Sequence, residues 1–71
     1  MMMLNYLENV ILYRVYQNKS LLDLEMHPSF KPTLVRLVRS SKLVPKNDNG
    51  IISEYPYEFE ITKLGIRQLF S

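Results

Sequence analysis

Five cations, Lys31, Arg36, Arg39, Lys42 and Lys46, stand in a stretch of the chain from Lys31 to Lys46 that contains no carboxylate, a local charge of +5 against +2 for the whole chain. A block this one-sided is the electrostatic footprint of a surface that docks phosphates. Arg36 and Arg39 are close to one helical turn apart, and a guanidinium offers two parallel donors that match guanine O6 and N7. Both flanks are acidic. Up to Phe30, Glu8, Asp23 and Glu25 outnumber Arg14 and Lys19, and after Lys46, Asp48, Glu54, Glu58 and Glu60 outnumber Lys63 and Arg67. Each arginine alone is ordinarily a solubilising residue, so the competing reading is a solvated helix face with no partner; the grouping favours phosphate.

Other chemistry is thin. The lone His27, between Met26 and Pro28, reads as a polar loop residue rather than a metal ligand or proton carrier. Glu58 and Glu60 alternate onto one strand face, which reads as a solvated outer face rather than a catalytic pair. There is no cysteine and no tryptophan, so thiolate chemistry, disulfides and cysteine-based metal sites are excluded. No phosphate loop, nucleophile elbow or metal-ligand spacing occurs. We therefore expect neither an enzyme nor a protein with a metal, a cofactor or a small-molecule ligand.

The elements that must carry the basic block fit one domain over residues 1–71, since 71 residues allow only about 60% of the unfolded surface to be buried. The longest apolar runs, Met1 to Leu4 and Val10 to Tyr13, fall far short of the roughly 20 residues of a membrane span, and a cytoplasmic address is expected. Met3 to Gln17 reads as a helix, with a strand as the weaker option because Val10 to Tyr16 is rich in β-branched and aromatic residues. Leu4, Leu7, Val10, Ile11 and Val15 form one face; Tyr6, Leu12, Tyr13 and Tyr16 cover much of the other, suiting either a helix sandwiched in the fold or a dimer interface. Ser20 and Asp23 have the spacing of a capping box for a short second helix, Leu21 to Met26. Pro28 ends it and Ser29 can cap a third helix reaching Ser41 or Lys42, with Pro32 in its first turn.

On that third helix Phe30, Leu34, Leu37, Val38 and Ser41 share one side. Ser29, Pro32, Thr33, Arg36, Arg39 and Ser40 share the other. Asn47 to Gly50 concentrates turn-forming residues before Ile51 to Ile61, which has strand character, so a β-hairpin is expected, with Pro56 marking an edge. In its return strand Tyr55, Tyr57, Phe59 and Ile61 face one way, and Glu54, Glu58 and Glu60 the other. Thr62 can cap a last helix, Lys63 to Phe70, that has Leu64, Leu69 and Phe70 to bury and Gly65 for a close backbone approach.

Helix, helix, helix, hairpin, helix, with these residues, resembles the winged helix-turn-helix family of DNA-binding domains, particularly small regulators of the MarR and PadR kind. Ile11-Leu12 followed by Ser20-Leu21-Leu22-Asp23-Leu24 is similar to the first helix and the start of the second. The run Leu34 to Val44 resembles a recognition helix and its exit, and Tyr57 to Gly65 resembles the end of a wing with a Thr-x-x-Gly signature. The resemblance implies an α+β fold of three helices, a β-hairpin wing and a short C-terminal helix, with a recognition helix at about 30–42 in the major groove. It implies Thr33, Arg36, Arg39 and Ser40 facing DNA, Lys31, Lys42 and Lys46 on phosphates, and a wing that contributes less than the helix. Tyr6, Leu12, Tyr13 and Tyr16 are the candidate interface of a homodimer. The function so implied is sequence-specific transcriptional regulation by occupying an operator or promoter on double-stranded DNA. The alternative is a winged-helix protein-interaction module that binds a partner protein through its first helix or the acidic strand face.

Overall fold

With no Gly or Pro before residue 28, the first third of the chain is free to coil, and it does. In the computed structural model, which describes residues 2–46 and 58–70 and side chains from residue 6, α1 spans Met2–Tyr16, α2 Phe30–Arg39 and α3 Lys63–Phe70. Strands β1, Leu43–Pro45, and β2, Phe59–Ile61, lie between α2 and α3, so the described residues form a small α+β fold with three α-helices and a two-stranded antiparallel sheet. The helical reading of α1 holds over the strand option, and the helix includes Met2, one residue earlier than the sequence pattern suggests. Asn18 ends it at φ 58, donating its N–H to the Val15 carbonyl while Lys19 donates to Arg14. Asparagine tolerates this left-handed geometry better than most residues.

The expected second helix, Leu21 to Met26, is a single 3-10 turn, Leu22–Leu24. Two of its residues explain why. Leu21 is buried and Leu24 half-buried, a spacing of three that matches the 3-10 period, while Leu22 and Met26 are exposed and offer no stripe for a longer helix. The capping box is also incomplete: Ser20 Oγ accepts the Leu22 N–H, but Asp23 turns to Arg14 instead. That guanidinium holds the Asp23 carboxyl below its usual range, against a smaller opposing effect of desolvation, and its own value is raised further. The pair contributes fully above the ordinary carboxylate value near about 3.9 and is lost as pH falls through the lowered one.

α2 buries Phe30, Thr33, Leu34 and Leu37. It stops at Arg39, short of the expected Ser41 or Lys42, because Ser41 takes φ 63 where a glycine is usual, its N–H bonded to Val38 and that of Lys42 to Leu37. Ser41 is exposed rather than on the apolar side, and Ser29 stands at the cap position without a side-chain cap bond. The chain enters β1 at once. Leu43 pairs with Ile61, Val44 with Glu60 and Pro45 with Phe59, and Lys46 N–H reaches the Glu58 carbonyl. Leu43 and Phe59 therefore point into the core while Val44 and Glu60 point out. The expectations for Asn47 to Gly50, Glu54, Tyr55, Pro56 and Tyr57 lie outside the described residues.

Thr62 does what its position suggested. Its Oγ1 accepts the Gly65 N–H at 3.2 Å and donates to the Ser41 carbonyl at 2.6 Å, so one side chain caps α3 and ties it to the end of α2. Leu64 and Phe70, expected to be available for burial, are instead exposed. The inner side of α3 is Gly65, Gln68 and Leu69; Gln68 bonds to Glu8 and Asn9 of α1, and Phe70 meets Tyr16 edge-on with ring centroids 5.4 Å apart. The core is built from Leu7, Ile11 and Leu12 of α1, Leu21, then Phe30, Leu34 and Leu37 of α2, and Leu43 and Phe59 of the strands, with Leu69 of α3 packed against it.

Candidate nucleic-acid interface

Thr33 corrects the expected DNA face. It has no exposed surface, packed beside Phe30, Leu34 and Leu37, so it cannot meet DNA. A threonine on the flank of the apolar arc is drawn inside because the neighbouring elements reach around the helix further than a simple two-sided division allows. Its Oγ1 has no hydrogen-bond partner among the described residues, and a buried unpaired hydroxyl carries a desolvation cost. Thr33→Val, which keeps the shape and removes the hydroxyl, is expected to stabilise the fold by about 1 kcal/mol and raise the melting temperature by roughly 4–8 °C in a thermal melt.

Ser40 is exposed, but its hydroxyl donates to the Arg36 carbonyl at 2.9 Å and the Leu37 carbonyl at 3.2 Å, closing the end of α2. Its proton is thus committed within the chain and is not available to a phosphate. Arg36 is only half exposed, and its Nη1 donates to Glu8 Oε2 of α1 at 3.2 Å. Not every arginine of α2 is free.

Lys31 and Arg39 are. Eight residues apart, they lie about 80° from each other around α2, on the side away from Phe30, Leu34 and Leu37, with Val35 between them. Neither forms an ion pair among the described residues, and Lys42 extends the same run at the corner between α2 and β1. Arg39 in the last turn also suits the helix dipole, so its position has a structural reason as well. Lys31 has none: it occupies the first turn, where a cation is opposed by the dipole and an acid would be preferred. A residue that breaks a local rule without a compensating contact is where function is expected.

Lys46 departs from the group. It is exposed and lines a groove with Val15, Asn18, Lys19, Glu58 and Phe59, placing it beside the end of α1 rather than beside Arg39. The basic block in sequence thus divides in space, with Lys31 and Arg39 on α2 and Lys42 just past its end, and Lys46 sharing a groove with Lys19. Lys19, read from sequence only as part of a turn, enters through this fold contact, for which the linear pattern carries no signal.

Leu12, expected at a dimer interface, is wholly buried and belongs to the core, because α1 packs against α2, α3 and β2. Tyr6, Tyr13 and Tyr16 do face outward, Tyr6 at 72% exposure. Asn9 and Gln17 complete a stripe that carries no charge. His27 accepts the Ser29 N–H on Nδ1 as a loop residue does, and no group of acidic or histidine side chains among the described residues is arranged to hold a metal ion. Among the described residues no helix is long and apolar enough to cross a membrane. No family model, characterised protein or solved structure matches the chain.

Proposed function

We propose that the chain is a winged helix-turn-helix DNA-binding protein, a transcriptional regulator that occupies an operator or promoter with α2 in the major groove. The observation that carries this reading is the outer face of α2, where Lys31 and Arg39 stand exposed without acidic partners and Lys42 follows. The element order supports it too: α2 runs directly into a two-stranded sheet, whose strands would lead to a wing, and α3 closes the core. Two copies joined through Tyr6, Tyr13 and Tyr16 would set two such helices about one turn of DNA apart, roughly 34 Å, and the uncharged stripe lets two copies approach without repulsion.

Titrating random-sequence duplex DNA into isotopically labelled protein tests this by nuclear magnetic resonance. The amides of Lys31, Val35, Arg39 and Lys42 are expected to shift while that of Glu60 stays, and the tumbling of the free protein at about 100 μM should be that of a dimer. Shifts absent from α2 would contradict DNA binding and leave the protein-interaction reading, in which α1 or the exposed Glu58 and Glu60 face binds a partner.

A further inference from the structure

Glu8 is the one carboxylate in the buried part of α1, only 7% exposed, and the chain has placed it where three helices meet. Its Oε2 accepts from Arg36 Nη1 of α2 at 3.2 Å, and its Oε1 accepts from Gln68 Nε2 of α3 at 3.2 Å; Gln68 Nε2 also reaches Asn9 Oδ1 at 2.9 Å. Both oxygens of the carboxylate are therefore in use. Its charge is balanced by a guanidinium that remains 47% exposed on the side chain.

From this geometry we infer that Glu8 is a charge mask for Arg36, removing it from the phosphate-binding set and leaving Lys31, Arg39 and Lys42 to supply the attraction to a nucleic-acid backbone. The inference rests on the nucleic-acid reading of α2 and deepens it. An arginine paired to a carboxylate presents a neutral pair to an approaching phosphate, so it releases no counterion on binding. With Nη1 held by Glu8 and the side chain still 47% exposed, the same pairing fixes the guanidinium in place and reserves it for hydrogen bonding rather than for long-range attraction. Balancing the buried Glu8 charge needs a cation, and here that cation is a surface residue of α2, so the contact that joins the helices also occupies Arg36. The sequence carries a faint sign of this: Glu8 is the polar interruption among Leu7, Ile11 and Leu12.

The salt dependence of binding to random-sequence duplex DNA measures the mask, because each released counterion adds about 0.9 to the negative slope of log affinity against log salt. Wild type, with three cations on phosphates, is expected near a slope of about −2.7 per copy. Glu8→Gln, similar in shape and still able to accept from Arg36, is expected near about −3.6, with affinity up about 8-fold at 0.1 M salt. Glu8→Gln/Arg36→Gln replaces a neutral pair with a neutral pair and is expected to return to the wild-type slope. Far-UV circular dichroism and a thermal melt check that each variant is folded; should the single variant fail to fold, the double variant still decides. An unchanged slope in folded Glu8→Gln, or a slope reduced by about 0.9 in the double variant, overturns the mask while leaving DNA binding intact. If neither wild type nor variants bind the duplex, the nucleic-acid reading falls and the mask falls with it.

Discussion

Gly65→Ala is expected to lower the melting temperature by roughly 5–15 °C, and Gly65→Val by more. On an exposed helix position the sign would be the opposite, because alanine gains up to about 1 kcal/mol over glycine from helix propensity and from the smaller entropy of the unfolded chain. Gly65 is buried, and a Cβ there would lie 2.6 Å from the Lys42 carbonyl oxygen and 2.7 Å from Ile61 Cγ1. Ile61 can change rotamer. The Lys42 carbonyl cannot move freely, because it accepts the Thr62 N–H at 3.0 Å, and Thr62 in turn holds both Ser41 and the start of α3. Overpacking against fixed backbone costs about 1–3 kcal/mol, which outweighs the propensity gain, and valine adds a second branch to the same collision. In a domain of this size total stability is of the order of 5 kcal/mol, so the loss is large. A thermal melt of the alanine variant decides the sign, and an unchanged or raised midpoint would mean that α3 does not pack on the end of α2 as described.

The same junction shows which parts of the fold local sequence can reveal. The bounds of α3 and its Thr62 cap depend on residues within a few positions of one another and were legible, and the glycine itself marked the close approach at Gly65, although the backbone it meets, at Lys42, lies far back in the chain. So was the alternation that turns Phe59 inward and Glu60 outward. Thr33 and Leu12 were not, because periodicity gives the direction of an apolar face but not its width, which is set by how far the neighbouring elements wrap around the helix. The pairing of Arg36 was not legible for a related reason: its partner Glu8 lies 28 positions earlier in the chain, and no spacing rule links two such residues before the helices pack. The short second helix failed on energetics, since six residues with only Leu21 and Leu24 facing inward cannot repay the cost of nucleating an α-helix.

The second large effect concerns Lys31 and Arg39. Lys31→Ala/Arg39→Ala is expected to weaken binding to random-sequence duplex by roughly 60-fold per copy at about 0.1 M salt, since each lost phosphate contact removes about 0.9 from the slope and about 8-fold in affinity. Fold stability should barely change, because both side chains are exposed and neither forms an ion pair among the described residues. Lys46→Ala, past the end of β1 and beside Lys19, should have a smaller effect. Equal losses from Lys46 and from the α2 pair would place the contact surface across the hairpin instead.

Measured directly, the salt dependence of wild-type binding to random-sequence duplex DNA tests whether α2 docks on phosphates. Raising the salt from 50 to 200 mM is expected to weaken binding roughly 40-fold per copy, the result of a slope near about −2.7 from Lys31, Arg39 and Lys42. Absence of binding at the lower salt, or an affinity that does not change between the two, would contradict the account.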